Sequence, residues 1–120
     1  MIAVPLQGLL IGPVRPLGPR AAPSGIDKRQ VEGPLFLDLQ GFSGDGQGDT
    51  LHHGGPDKAV QHYAGEHYRA WNIELGKPDI LNRPGAFGEN LATLGVTEDQ
   101  VAIGDVFALS EAIIQVSQGR

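Results

Sequence analysis

Residues with chemical potential cluster at a few places along this chain. His53-Gly54-Gly55-Pro56-Asp57-Lys58 is the most informative. Two glycines behind a histidine let backbone N–H groups converge, and such concavities hold anions. Lys58 stands close enough in sequence to add positive charge. A tight turn between strands would by itself account for Gly-Gly-Pro, and on spacing alone it is the simpler reading. The segment is neither a Walker A loop nor a Gly-x-Gly-x-x-Gly fingerprint. A second stretch is Gly85-Ala86-Phe87-Gly88-Glu89-Asn90-Leu91, where Glu89 and Asn90 sit among glycine and apolar positions. That placement implies buried hydrogen bonding or a ligand contact; a turn cap at Asn90 is the alternative. Lys28 and Arg29 adjoin in a strand-like segment. Alternation would turn one of them inward, where a cation needs an anionic partner; two solvated side chains are the commoner outcome.

The four histidines are His52, His53, His62 and His67. Adjacent histidines in extended chain face opposite ways, so His52 and His53 do not readily share an ion. His62 and His67 miss the i, i+4 spacing that puts two ligands on one helical face. No direct histidine metal site is expected. Cysteine is absent from the 120 residues. That excludes a disulfide scaffold, cysteine-ligated zinc and a thiol nucleophile within them.

These residues need elements to position them. Eighteen glycines and nine prolines argue against a helical bundle, since both are poor helix formers. The length is that of one domain, 1–120, with 40% hydrophobic residues and a small core. A net charge of −5 speaks against a general nucleic-acid binder. No apolar run approaches a membrane span, and the first residues lack the basic region of a signal peptide. A soluble cytoplasmic protein without membrane or nucleic-acid partners is the expectation.

Short apolar segments alternate with turn residues. Residues 9–11, 28–32, 35–39, 59–63, 101–103, 106–109 and 113–116 read as strands. Gly33-Pro34 is read as a turn between the second and third of these, and Gly104-Asp105 as a hairpin or bulge turn. The glycine-rich stretch 41–49, which holds Asp45, is a loop that permits close backbone approach. One helix is predicted over residues 66–75, with Tyr68, Trp71 and Leu75 on one face and Trp71 largely buried. Gly76 and Pro78 follow as stop signals. Six or more short strands with about one helix predict a mostly β fold, a barrel or sandwich with a helical excursion.

Taken together, several segments resemble the MOSC domain, named for the C-terminal part of molybdenum-cofactor sulfurases, in its YiiM-type subgroup. They are Ser24-Gly25-Ile26-Asp27-Lys28, Gly44-Asp45-Gly46-Gln47-Gly48-Asp49 and His53-Gly54-Gly55-Pro56-Asp57-Lys58-Ala59-Val60. Tyr63, Tyr68, Trp71, the 85–91 stretch, Gly104-Asp105 and Val116-Ser117-Gln118-Gly119-Arg120 fit the same pattern. The resemblance runs in order from about residue 9 to residue 120. It implies a MOSC-type β-barrel that binds the molybdenum cofactor, a molybdenum held by the dithiolene of a phosphorylated pterin. It also implies reduction of N-hydroxylated bases such as hydroxylaminopurine, with an unidentified electron donor. Related members handle sulfur transfer to the cofactor.

Carried over by motif, Lys28 and Arg120 would meet the pterin phosphate, as point charge and as fork. His53, Gly54 and Gly55 would line the site, Asn90 would bond in its wall, and Asp45 would hold its loop or touch the cofactor. The resemblance also implies a Pro-Cys shortly after Arg120, the Cys being the molybdenum ligand. The sequence stops at Arg120, so the reading is of a barrel incomplete at its C-terminus with no catalytic residue assigned. Without that thiolate, cofactor binding should be weak and salt-sensitive. The alternatives are a non-catalytic β-barrel that binds the pterin or another phosphorylated ligand, and a sulfur-carrier MOSC domain.

Overall fold

The computed structural model describes residues 6–20, 22–46 and 55–119. Its centre is a four-stranded sheet ordered β4-β1-β8-β7. Strand β1 (Leu6–Ile11) pairs antiparallel with β4 (Arg29–Gln30) and with β8 (Leu91–Thr93). β7 (His62–Ala64) lies parallel to β8, with His62 opposite Leu91 and Ala64 opposite Thr93. Parallel neighbours need a crossover. It is supplied by helix α1 (Glu66–Glu74) and a 3-10 turn at Asp79–Asn82. Three two-stranded ribbons surround the sheet: β2 (Arg15–Leu17) with β3 (Ala22–Ser24), β5 (Leu37–Asp38) with β6 (Gly41–Phe42), and β9 (Val106–Leu109) with β10 (Ala112–Gln115). Further 3-10 turns lie at Pro56–Lys58 and Glu98–Gln100.

Among the described residues the fold is therefore mostly β with one α-helix. Its strands do not close into a barrel among the described residues. The core is small and lies between the central sheet and α1: Leu10, Ala64, Tyr68, Leu81, Leu91 and Ala92 are buried. Strand β8 is buried at all three positions, which fits its place inside the sheet. No helix among the described residues is long and apolar enough to cross a membrane.

Several expectations need correction. Trp71 is 37% exposed rather than largely buried. Only Tyr68 of the predicted helical face reaches the core, because the nine-residue helix docks mainly through its first turn. Trp71 instead sits at the rim, donating its indole N–H to the Tyr63 hydroxyl at 2.9 Å. Residues 28–32 and 35–39 do not pair around Gly33-Pro34. β4 joins β1 and β5 joins β6 instead. Residues 101–103 form no strand: Ala102 N–H is taken by the Asp105 carboxylate at 2.9 Å, which folds the segment into a turn. Gly104-Asp105 is that turn, and the β9–β10 hairpin reverses at residues 110–111 instead. The predicted strand at 59–63 is shifted to 62–64 by the preceding 3-10 turn.

Candidate functional site

Asp45 organises one end of the central sheet. Its Oδ1 accepts from the Lys28 ammonium at 2.6 Å and from Gly12 N–H at 2.9 Å. Its Oδ2 accepts from Asn90 Nδ2 at 2.9 Å. The Lys28 and Asp45 side chains are only 5% and 4% exposed, so this is a buried ion pair. Lys28 also reaches the Gly46 carbonyl at 3.4 Å. Asn90 completes the network: Nδ2 donates to the Leu10 carbonyl at 3.0 Å, and Oδ1 accepts from Gln61 N–H at 2.9 Å. One asparagine thus ties β1, the 41–46 loop and the lead into β7 together. Of the two neighbouring cations, Lys28 turns inward, while Arg29 lies outside against Asp27 at 3.3 Å.

Asn90's neighbour Glu89 is fully buried on a second network. Tyr68 donates its hydroxyl to Glu89 Oε2 in a short hydrogen bond, and Phe87 N–H donates to Oε1 at 3.1 Å. The Tyr68 oxygen accepts from Gly85 N–H at 3.0 Å and Ala86 N–H at 3.1 Å. Burial and the Glu89 carboxylate push the Tyr68 hydroxyl well above its ordinary range, so it stays protonated and donating. Together Tyr68 and Glu89 clamp three successive backbone groups of the 85–87 turn.

The Gly55-Pro56-Asp57-Lys58 turn meets a segment about sixty residues away. Ser117 donates its hydroxyl to the Asp57 carbonyl, and Gln118 Nε2 reaches the same oxygen at 3.4 Å. Gly55 enters the turn at φ +86°, a conformation that favours glycine, and among the described residues no atom beyond its chain neighbours lies within 4 Å of where a Cβ would stand. Pro56, Asp57 and Ser117 to Gly119 border a concavity of about 1410 Å³, whose remaining walls are largely apolar. Phe36, Leu39, Ile103 and Ile113 line it and are strongly exposed.

His62 also lines the concavity, with Nε2 2.6 Å from the Thr93 hydroxyl. Burial lowers its pKa, against the opposing pull of Glu98, Glu66 and Glu89. On the outer side His67 pairs with the Glu98 carboxylate at 2.7 Å, which holds Glu98 below its ordinary value. No group of three metal-ligating side chains gathers among the described residues.

Comparison with known proteins is decisive at this point. The MOSC domain family model matches residues 49–120, more than half of the sequence. This chain belongs to the MOSC domain family. It is 52% identical to the uncharacterized protein YflK of Bacillus subtilis over 97 residues, covering 81% of this chain and 42% of YflK. It is 49% identical to protein YiiM of Escherichia coli over 102 residues, covering 85% of this chain and 46% of YiiM. A Gibberella moniliformis protein named "Reductase" is 37% identical over 98 residues, covering 81% of this chain and 17% of that protein. The crystal structure of E. coli YiiM superposes with a TM-score of 0.70 at 38% identity, covering 100% of this chain and 47% of that one. YiiM of Geobacillus stearothermophilus gives a TM-score of 0.73 at 33% identity, covering 98% of this chain and 52% of the other. The MOSC chain thus spans about half the length of the YiiM and YflK relatives it matches.

Among the residues assigned from sequence, the MOSC fold brings Lys28, Asp45 and Asn90 into direct contact. Gly55 lies at the separate turn that meets residues 117–119. His53, Gly54 and Arg120 fall outside the described residues, as does His52. Sequence reasoning missed two features. Tyr68 stands in the sequence on an apolar helical face and in the family pattern, with nothing that names the buried Glu89 as its partner. The contact of Asp57 with Ser117 and Gln118 carries no sequence signal, because its acceptor is a backbone carbonyl.

Proposed function

We propose that this MOSC chain holds the phosphorylated pterin of the molybdenum cofactor, as part of a reductase of N-hydroxylated bases and related compounds. The observation that carries the reading is the hydrogen-bonded meeting of the Gly55–Lys58 turn with residues 117–119 at one end of the concavity. It brings two segments of the family pattern together, and Gly55 has no side chain to keep an anion from its backbone. Family membership and the relatives named YiiM and "Reductase" support it.

The residues fit such a group in a divided way. Gly55, with His53 and Gly54 before it in sequence and Arg120 next after the 117–119 segment, would hold the anionic end. Lys28 is buried and ion-paired with Asp45, so its charge is largely spent within the protein. In this reading Lys28, Asp45 and Asn90 position the loop and the sheet end behind the site. When bound, the cofactor supplies two-electron reduction of N–OH to N–H, taking up two protons and releasing water. The protein binds, orients and excludes water. Desolvation favours the neutral form of His62, whose ring then offers one hydrogen-bond donor and one acceptor.

These 120 residues contain no cysteine, and therefore offer a metal no thiolate. A second reading for these residues is binding of the pterin or another phosphorylated ligand without turnover. Purifying the chain from a host that makes the cofactor, then assaying molybdenum content and reduction of an N-hydroxylated base by an artificial donor, separates the two. Metal with turnover supports the first reading, metal or pterin without turnover the second, and neither removes both.

A further inference from the structure

The β9–β10 hairpin carries apolar side chains on both of its faces. Directly paired residues share a face, so Phe107, Leu109, Ala112 and Ile114 form one, and Val106, Ala108 and Ile113 the other, with Gln115. The first set is half-buried. In the second, Val106 is 47% and Ile113 71% exposed, and Ile103 just before the hairpin is exposed too. A strand pair that turns one face to water ordinarily makes that face polar, whereas strands apolar on both faces are covered on both. The edges are open as well. Among the described residues β9 and β10 pair only with each other, and an unpaired edge is a template for a further strand. Across the concavity Phe36 and Leu39 are also strongly exposed.

Length and charge narrow what covers this face. E. coli YiiM superposes on 100% of this chain but gives only 47% of its own length to the match, and the Geobacillus stearothermophilus protein matches 98% of this chain with 52% of its own. In both, this fold is accompanied by about as much polypeptide again. A second copy is a poorer occupant. Among the described residues the charged side chains that border the concavity are Asp38, Asp57 and Glu98, with no Lys or Arg, so two such faces would set like charges against each other. We propose that the outer hairpin face and its open edges are the docking surface for a strand-forming polypeptide, the part of the YiiM-type chain that lies beyond the matched half. Val106, Ile113 and Ile103 form its apolar centre, strand pairing supplies the backbone hydrogen bonds, and the carboxylates select a covering surface with Lys or Arg. This inference does not rest on the cofactor reading.

The test co-expresses the full chain with the unmatched part of E. coli YiiM, tagged and encoded as a separate polypeptide. A one-to-one complex that survives gel filtration is expected. The chain alone should bind the apolar dye ANS, and that binding should fall in the complex. Ile113→Asp should weaken the complex by about tenfold or more, because it sets a charge in the apolar centre of the contact, and Ile113→Val should leave it intact. Ile113 is strongly exposed, so the aspartate should leave the chain's own circular dichroism unchanged. If it does not, Ile103→Asp is read in its place. Absence of a complex, a complex equally tight with folded Ile113→Asp and folded Ile103→Asp, or a chain that binds no dye by itself would overturn the inference. A homodimer of the chain that is lost in Ile113→Asp would overturn it as well, because the occupant would then be a second copy.

Discussion

Replacing Asp45 by Ala removes the only anion that Lys28 meets in its buried position among the described residues. Both side chains are nearly sealed from water, at 5% and 4% exposure, so solvent cannot take over. The change also strips acceptors from Gly12 N–H and Asn90 Nδ2. Breaking a buried pair by removing one partner costs about 3–5 kcal/mol. A domain of this size has roughly 5–15 kcal/mol in total, so much of its stability is at stake. With an m-value of about 2 kcal/mol/M, the urea midpoint should fall by about 2 M. The double variant Lys28→Met with Asp45→Ala should be milder, because no unpaired charge remains and only neutral donors lose partners, at about 1–3 kcal/mol. Urea unfolding followed by circular dichroism and Trp71 fluorescence measures both. A fall below about 0.5 M for Asp45→Ala, or a double variant less stable than the single one, would refute the buried-pair argument.

Tyr68→Phe deletes the donor to Glu89 and the acceptor of two N–H groups, so a loss of about 1–3 kcal/mol is expected in the same urea assay. Gly41→Ala places a Cβ 2.7 Å from the Ala59 carbonyl oxygen at φ +120°, and should lower the thermal midpoint measurably. For His62 the sign follows from burial. Its folded pKa lies below the ordinary 6.5, so the unfolded chain binds more protons between the two values. That stability is complete above pH 6.5 and is lost as pH falls below it, and His62→Gln should flatten the slope of urea midpoint against pH there. Glu98, lowered from 4.5 by His67, acts in a separate window: its contribution is present above pH 4.5 and is lost as pH falls through the folded value.

The parts of the fold set by local pattern were legible. The helix over 66–74 announced itself through its apolar spacing and the stop at Gly76, which adopts φ +74°. Strands 106–109 and 112–115 were found within a residue or so, because alternation and turn residues bound them. Pairing was not legible: β4 and β5 are two residues each, and their partners depend on contacts distant in sequence. The resemblance put Lys28, Asp45 and Asn90 at one site with Gly55; that Lys28 and Asn90 both bond to Asp45, apart from the Gly55 turn, is tertiary and was not legible. Glu89 stood out as a polar residue in an apolar stretch. Its partner Tyr68 did not, since a tyrosine on an apolar helix face reads as packing until its hydroxyl is traced. Trp71 was misplaced for the converse reason. Helical periodicity marks a face, and says nothing of how far the sheet beneath extends to cover it.

The central claim is that the Gly55 turn and the residues 117–119 beside it hold the anionic end of a molybdenum cofactor. The most direct test is the molybdenum-to-protein ratio of the full chain after gel filtration at low and at high salt, beside Gly55→Val. The valine strains a positive-φ position and blocks close approach. The account predicts metal retained by the unaltered chain at low salt, most of it stripped at high salt because exposed charge contacts are screened, and none held by folded Gly55→Val. Molybdenum at background in the unaltered chain at low salt, or equal retention by both proteins, would contradict it.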